Sequence, residues 1–74
     1  EEKYTIIFAD PPYNQKQEID ALIDAVSNGD YLLPNGLFIL EHQSMAQVSH
    51  PAIVETREYG QSTFSFFNFE DSNE

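Results

Sequence analysis

Two apolar runs constrain this 74-residue chain more than anything else in it: residues 5–8 (TIIF) and 37–40 (LFIL). Neither alternates with polar residues. A strand with one face in water alternates, so a continuous run predicts a strand covered on both faces, as in parallel α/β sheets. Between the runs, Ile19, Leu22, Ile23 and Val26 recur at i, i+3, i+4 and i+7, one apolar stripe of a helix. The helix is predicted over about residues 15–27, with Asn14 as N-cap and Gln17 completing a capping box. Gly29 is placed in the left-handed position beyond its end. Strand, helix and strand make a βαβ unit whose two strands are parallel neighbours.

The remaining segments read as punctuation and a hairpin. Pro34-Asn35-Gly36 predicts a turn before the second strand, residues 37–41. Residues 44–49 predict a short helix ended by His50-Pro51, with His50 as a plain loop residue. Residues 53–59 and 63–69 read as strands around Gly60-Gln61-Ser62, an antiparallel hairpin with Gly60 at positive φ. Aromatic residues fall on both faces of the last segment, TFSFFNF, so it too reads as covered on both sides. Arg57-Glu58-Tyr59-Gly60 reads as a hairpin with alternating exposed charges.

The order is β-α-β-(α)-β-β: an α/β fold with a mixed sheet, in a single domain over residues 1–74. One good helix cannot cover both faces of four strands. The chain is therefore expected to be part of a larger α/β domain, its first strand presenting a free edge through which it self-associates.

Composition narrows the function. Three Lys or Arg against 13 Asp or Glu give a net charge of −10. Nucleic-acid affinity comes largely from basic side chains neutralising phosphates, so this chain by itself is expected to bind nucleic acid weakly or not at all. There is no cysteine, hence no disulfide or thiolate metal site. Glu41 and His42, at the end of the second strand, lack the companions a metal needs, so no metal is expected. They read as solvated polar groups, with the lining of a crevice as the alternative. No apolar run approaches the length of about 20 residues that spans a membrane. No signal peptide is recognisable, and the expected location is the cytoplasm.

The chemistry concentrates in Asp10-Pro11-Pro12-Tyr13, directly after the first strand. One reading is a strand-ending turn with a surface tyrosine. The other is a site, because ligands of open α/β sheets bind at the carboxyl ends of the strands. A residue before proline is pushed into extended conformations, so Asp10 and Pro11 are both held extended. Their carbonyls and the Asp10 carboxylate become rigid acceptors beside the flat face of Tyr13. That combination suits a planar ligand carrying an NH2 group.

Asp10-Pro11-Pro12-Tyr13 resembles the Asp/Asn-Pro-Pro-aromatic motif of S-adenosylmethionine-dependent amino-methyltransferases. YTIIFADPPYN, LLPNGLFILEH and TREYGQSTFSFF, in this order and spacing, are together similar to the C-terminal part of the RsmD family, over residues 4–67. Those are bacterial methyltransferases acting on N2 of a guanine in small-subunit ribosomal RNA. The resemblance implies the C-terminal half of a Rossmann-like class I methyltransferase sheet. It implies S-adenosyl-L-methionine as methyl donor and small-subunit rRNA as partner of the full-length protein. Carried over residue by residue, Asp10 and the Pro11 carbonyl accept the amine hydrogens, Pro12 fixes the backbone, and Tyr13 stacks on the extruded base. Asp10 is also the residue expected at the cofactor. The family's glycine-rich loop, its ribose-holding acid and its basic RNA-contacting surface have no counterpart in the 74 residues, so the chain alone is expected neither to bind the cofactor well nor to turn over. An adenine-N6 DNA methyltransferase segment and a non-catalytic acidic α/β association module are the other two functions such a chain could serve.

Overall fold

The computed structural model describes residues 2–12 and 15–70. The described residues form β1 (Tyr4–Ala9), α1 (Lys16–Asn28), β2 (Leu32–Gln43), a 3-10 turn (Ser44–Ala46), β3 (Ile53–Tyr59) and β4 (Ser62–Phe67). The strands make one sheet in the order β1-β2-β4-β3. β1 and β2 are parallel, while β4 runs antiparallel to both β2 and β3. The expected α/β order, the parallel pair and the closing hairpin are all present.

α1 lies on one face of the sheet. Ile19 and Ile23 from its stripe pack with Phe38 and Leu40 of β2, Phe67 of β4 and Ala52, all buried; Leu22, Val26, Ile7 and Ala9 pack around them. Strand alternation places Ile6 and Phe8 of β1, Leu37 and Ile39 of β2, and Phe64 and Phe66 of β4 on the opposite face. That face is open. Ile6 is 57% exposed and Phe8 55%. Within this chain the runs are therefore covered on one side only, as expected of four strands with one good helix. A non-alternating run reports that both faces are apolar, and these residues supply one helix for two faces. The open-face aromatics partly shield one another: Phe8 stacks on Phe64 at 6.3 Å, Tyr59 meets Phe64 edge-on at 5.8 Å, and the Arg57 guanidinium lies 5.9 Å over Phe66.

Four local expectations are corrected. Pro34-Asn35-Gly36 does not precede β2 but lies inside it, as a bulge. Leu32 pairs with Tyr4 and Leu37 with Ile6, so the chain loops out between them with Asn35 at φ 62°. Gly36 lets this bulge press on β1: a Cβ there would sit 3.0 Å from the Leu33 carbonyl oxygen and 3.1 Å from that of Thr5. At the end of α1, Gly29 stays right-handed (φ −87°) and Asp30 takes the left-handed conformation (φ 59°). Asp30 tolerates it because a short polar side chain visits that region readily, and it is tied to Lys3 at 3.0 Å. At the start of α1 the cap position falls to Gln15, without a side-chain capping bond; Asn14 lies outside the described residues. The predicted helix over 44–49 is a single 3-10 turn, followed by Gln47 at φ 54°. Gly60 does adopt positive φ, 61°, in the hairpin loop.

Candidate functional site

Parallel pairing brings the carboxyl ends of β1 and β2 together. Ala9 pairs with Leu40, so Asp10 follows beside Glu41. Continuing the alternation from Phe8 and Ile39, both carboxylates belong to the open-face side. Asp10, Pro11, Pro12, Glu41, His42, Gln43 and Ser62 line a cleft of about 320 Å³. Asp10 is exposed and Pro11 half-buried. The structure thus brings together Asp10, Pro11 and Pro12 with the Glu41-His42 pair, the crevice alternative rather than a solvated strand end. Tyr13, the fourth residue of the motif, lies outside the described residues.

The electrostatics of the cleft follow from where the basic residues go. Lys3 binds Asp30 at 3.0 Å, Lys16 binds Asp20 at 2.8 Å, and Arg57 binds Glu55 at 2.6 Å. Hydrogen bonds from the guanidinium to Glu55, then to Tyr59, raise the Arg57 pKa above its ordinary value. These are all three Lys and Arg of the sequence. Asp10 and Glu41 consequently have no basic partner among the described residues, and the rim of the cleft is rich in acceptors.

His42 forms the inner wall. Contrary to the expectation of a solvated group, it is 7% exposed, because it continues the Phe38–Leu40 face of β2. Its Nδ1 lies 3.0 Å from the Gln43 carbonyl oxygen, so Nδ1–H donates there. Nε2 then accepts the hydroxyl proton of fully buried Ser65 at 2.8 Å. Beside it Ser44 and Thr63 share a hydroxyl bond of 2.6 Å. These two bonds clamp the end of β2 to β4 and hold Glu41 in register. A buried acceptor left unmet costs about 1–3 kcal/mol, which is what removing the Ser65 hydroxyl would do to His42. His50 is structural rather than a plain loop residue: its Nδ1 accepts the Ala52 N–H at 2.9 Å, and its ring stands edge-on to Phe67 at 5.7 Å.

Among the described residues no group of His, Asp and Glu could hold a metal ion. No helix of the described residues is long and apolar enough to cross a membrane. A second cleft, about 340 Å³, lies between the end of α1 and the β2 bulge. It is lined by Asp30, which is paired with Lys3, and by Glu70, away from the carboxyl ends of the parallel strands.

An open α/β sheet with its cleft at the carboxyl ends of parallel strands belongs to the class that binds ligands at that end. The family model described as Conserved hypothetical protein 95 matches residues 1–68, and the chain belongs to that family, the RsmD family. Among solved structures, a hypothetical protein of Thermus thermophilus superposes with a TM-score of 0.72 at 25% identity, over 90% of this chain and 36% of its own. A candidate methylase of Haemophilus influenzae gives 0.65 at 19% identity, over 86% of this chain and 41% of its own. A candidate methyltransferase of Escherichia coli gives 0.66 at 18%, over 90% and 40%. The chain therefore spans about two fifths of the length of these proteins and shares the fold of that region, in line with the methyltransferase-type α/β sheet expected. No curated protein matches it.

Proposed function

We propose that the chain is the base-binding part of an S-adenosylmethionine-dependent methyltransferase acting on N2 of a guanine in small-subunit ribosomal RNA. The observation that carries this reading is the Asp10-Pro11-Pro12 cleft at the end of β1, in a member of the RsmD family. An exocyclic amine is a poor nucleophile because its lone pair is delocalised into the ring. The Asp10 carboxylate and the Pro11 carbonyl accept its two hydrogens, which favours a pyramidal nitrogen with the lone pair free. Pro12 keeps both acceptors extended. Tyr13 stacks on the extruded base, a contact worth about 1–3 kcal/mol. S-adenosylmethionine, when bound, supplies an electrophilic methyl group. As the N–C bond forms, the S–CH3 bond of the donor would break and S-adenosylhomocysteine would leave as the neutral thioether, while the Asp10 carboxylate takes the proton the nitrogen sheds. Holding amine and methyl group in line supplies the rest of the rate.

Of the donor's site the 74 residues contribute only the Asp10 side of the cleft; they contain no glycine-rich loop to cradle it. With a net charge of −10 they also contribute little to holding RNA, so both tasks fall to other parts of the full-length protein. An enzyme working on ribosomal RNA is placed in the cytoplasm. Deleting the gene and quantifying methylated nucleosides tests the reading: N2-methylguanine should fall in small-subunit rRNA. Unchanged N2-methylguanine would sink it, and loss of N6-methyladenine from DNA would install the adenine reading instead.

We also propose that the isolated 74 residues pair with a second copy through the unpaired edge of β1, where Tyr4, Ile6 and Phe8 are all at least half exposed. The net charge of −10 opposes this association, and salt screens it. Light scattering should give a mass above the monomer that rises with ionic strength. A monomer unchanged by concentration and salt would overturn the pairing.

A further inference from the structure

We propose that Glu41 is the residue that selects guanine over adenine, by accepting the base's N1–H while Asp10 and Pro11 hold the amine. This rests on the methyltransferase reading above and adds to it a determinant that the Asp-Pro-Pro motif cannot supply, since guanine and adenine both carry an exocyclic amine.

The parallel register sets Glu41 next to Asp10, on the same side of the sheet and in the same cleft. Both are carboxylates with no basic partner among the described residues, and an ionised carboxylate only accepts. His42 cannot supply a compensating donor, because Nδ1–H is spent on the Gln43 carbonyl and Nε2 accepts from Ser65. The cleft thus sets two carboxylates beside Pro11. Guanine complements it: N1–H and the N2 amine lie side by side and are all donors. Adenine does not, because its N1 is an acceptor next to the N6 amine and would face the Glu41 carboxylate lone pair to lone pair. The Ser65–His42 and Ser44–Thr63 bonds fix the end of β2, so the position of Glu41 is set before any base arrives.

The test uses the full-length gene product and two RNA substrates, with guanine or 2-aminopurine at the target. 2-Aminopurine keeps the N2 amine and lacks the N1 proton. The wild type should prefer guanine by about 10- to 100-fold in kcat/KM, the range one base contact commands. In Glu41→Gln the ratio should collapse toward unity, because an amide accepts from N1–H and donates to a bare N1 equally well. A wild-type ratio near unity, or a ratio unchanged in Glu41→Gln, overturns the role of Glu41 while leaving guanine methylation standing. Equal losses on both bases, in Glu41→Gln or in the shorter Glu41→Asp, mark a structural role and overturn it too. If the wild type methylates neither base, the methyltransferase reading falls with it.

Discussion

On the methyltransferase reading, replacing Asp10 with alanine in the full-length gene product is expected to lower kcat for methyl transfer by about 10²- to 10³-fold, the loss typical of removing one preorganised group that faces developing charge. In the proposed methyl transfer the amine nitrogen becomes cationic as the new bond forms. A carboxylate held beside it stabilises that charge and then takes the proton; alanine does neither. KM should change far less, because the base still stacks and the Pro11 carbonyl still accepts one hydrogen. Stability should be unaffected: Asp10 is exposed and has no ion-pair partner among the described residues. Asp10→Asn should keep part of the activity, since the amide oxygen still accepts a hydrogen bond. Steady-state kinetics with matched thermal melts decide the matter. An Asp10→Ala enzyme within about threefold of wild type would remove Asp10 from the chemistry, because a group stabilising the transition state cannot be lost so cheaply.

How much of this was legible in the residues depends on whether the deciding interaction is local. The βαβ order was, because the apolar runs and the Ile19–Ile23 stripe each declare their period within a few residues. The place of Asp10 just past the end of β1 was legible for the same reason: two prolines stop a strand wherever they fall. The β2 bulge was not. Pro34-Asn35-Gly36 has the same local chemistry in a turn and in a bulge, and only the Leu32–Tyr4 pairing separates them. The left-handed residue after α1 falls one position beyond the expected one, since glycine is the local favourite while the Asp30–Lys3 contact spans 27 residues. His42 reads as solvated because a run without alternation does not show which residue at its end points inward. Its partner Ser65 lies 23 residues on, and a small hydroxyl residue between Phe64 and Phe66 was the available signal.

The same question of which face is inside makes Phe38→Ala the most damaging substitution for the fold. It should cost about 3–5 kcal/mol, the range for removing a buried aromatic ring. Phe38 is fully buried, with its ring 5.3 Å from Phe67 and 6.3 Å from Phe69. It sits on β2 between Ile7 of β1 and Phe67 of β4, and both neighbours are held by strand ladders, so little can collapse into the cavity. Folded chains hold about 0.05–0.15 kcal/mol per residue, which leaves a protein this short little margin for such a loss. Far-ultraviolet circular dichroism in urea should show Phe38→Ala largely unfolded. The control is Phe8, an aromatic of the neighbouring strand on the open face. Phe8→Ser should cost about 0.5 kcal/mol or less, the usual size of a surface change, and should raise solubility by breaking an exposed apolar patch. Equal costs at the two positions would mean that the helix-covered face is not the core. They would also cut the link between fold and site, because Glu41 and His42 reach the cleft on the strand that Phe38 anchors.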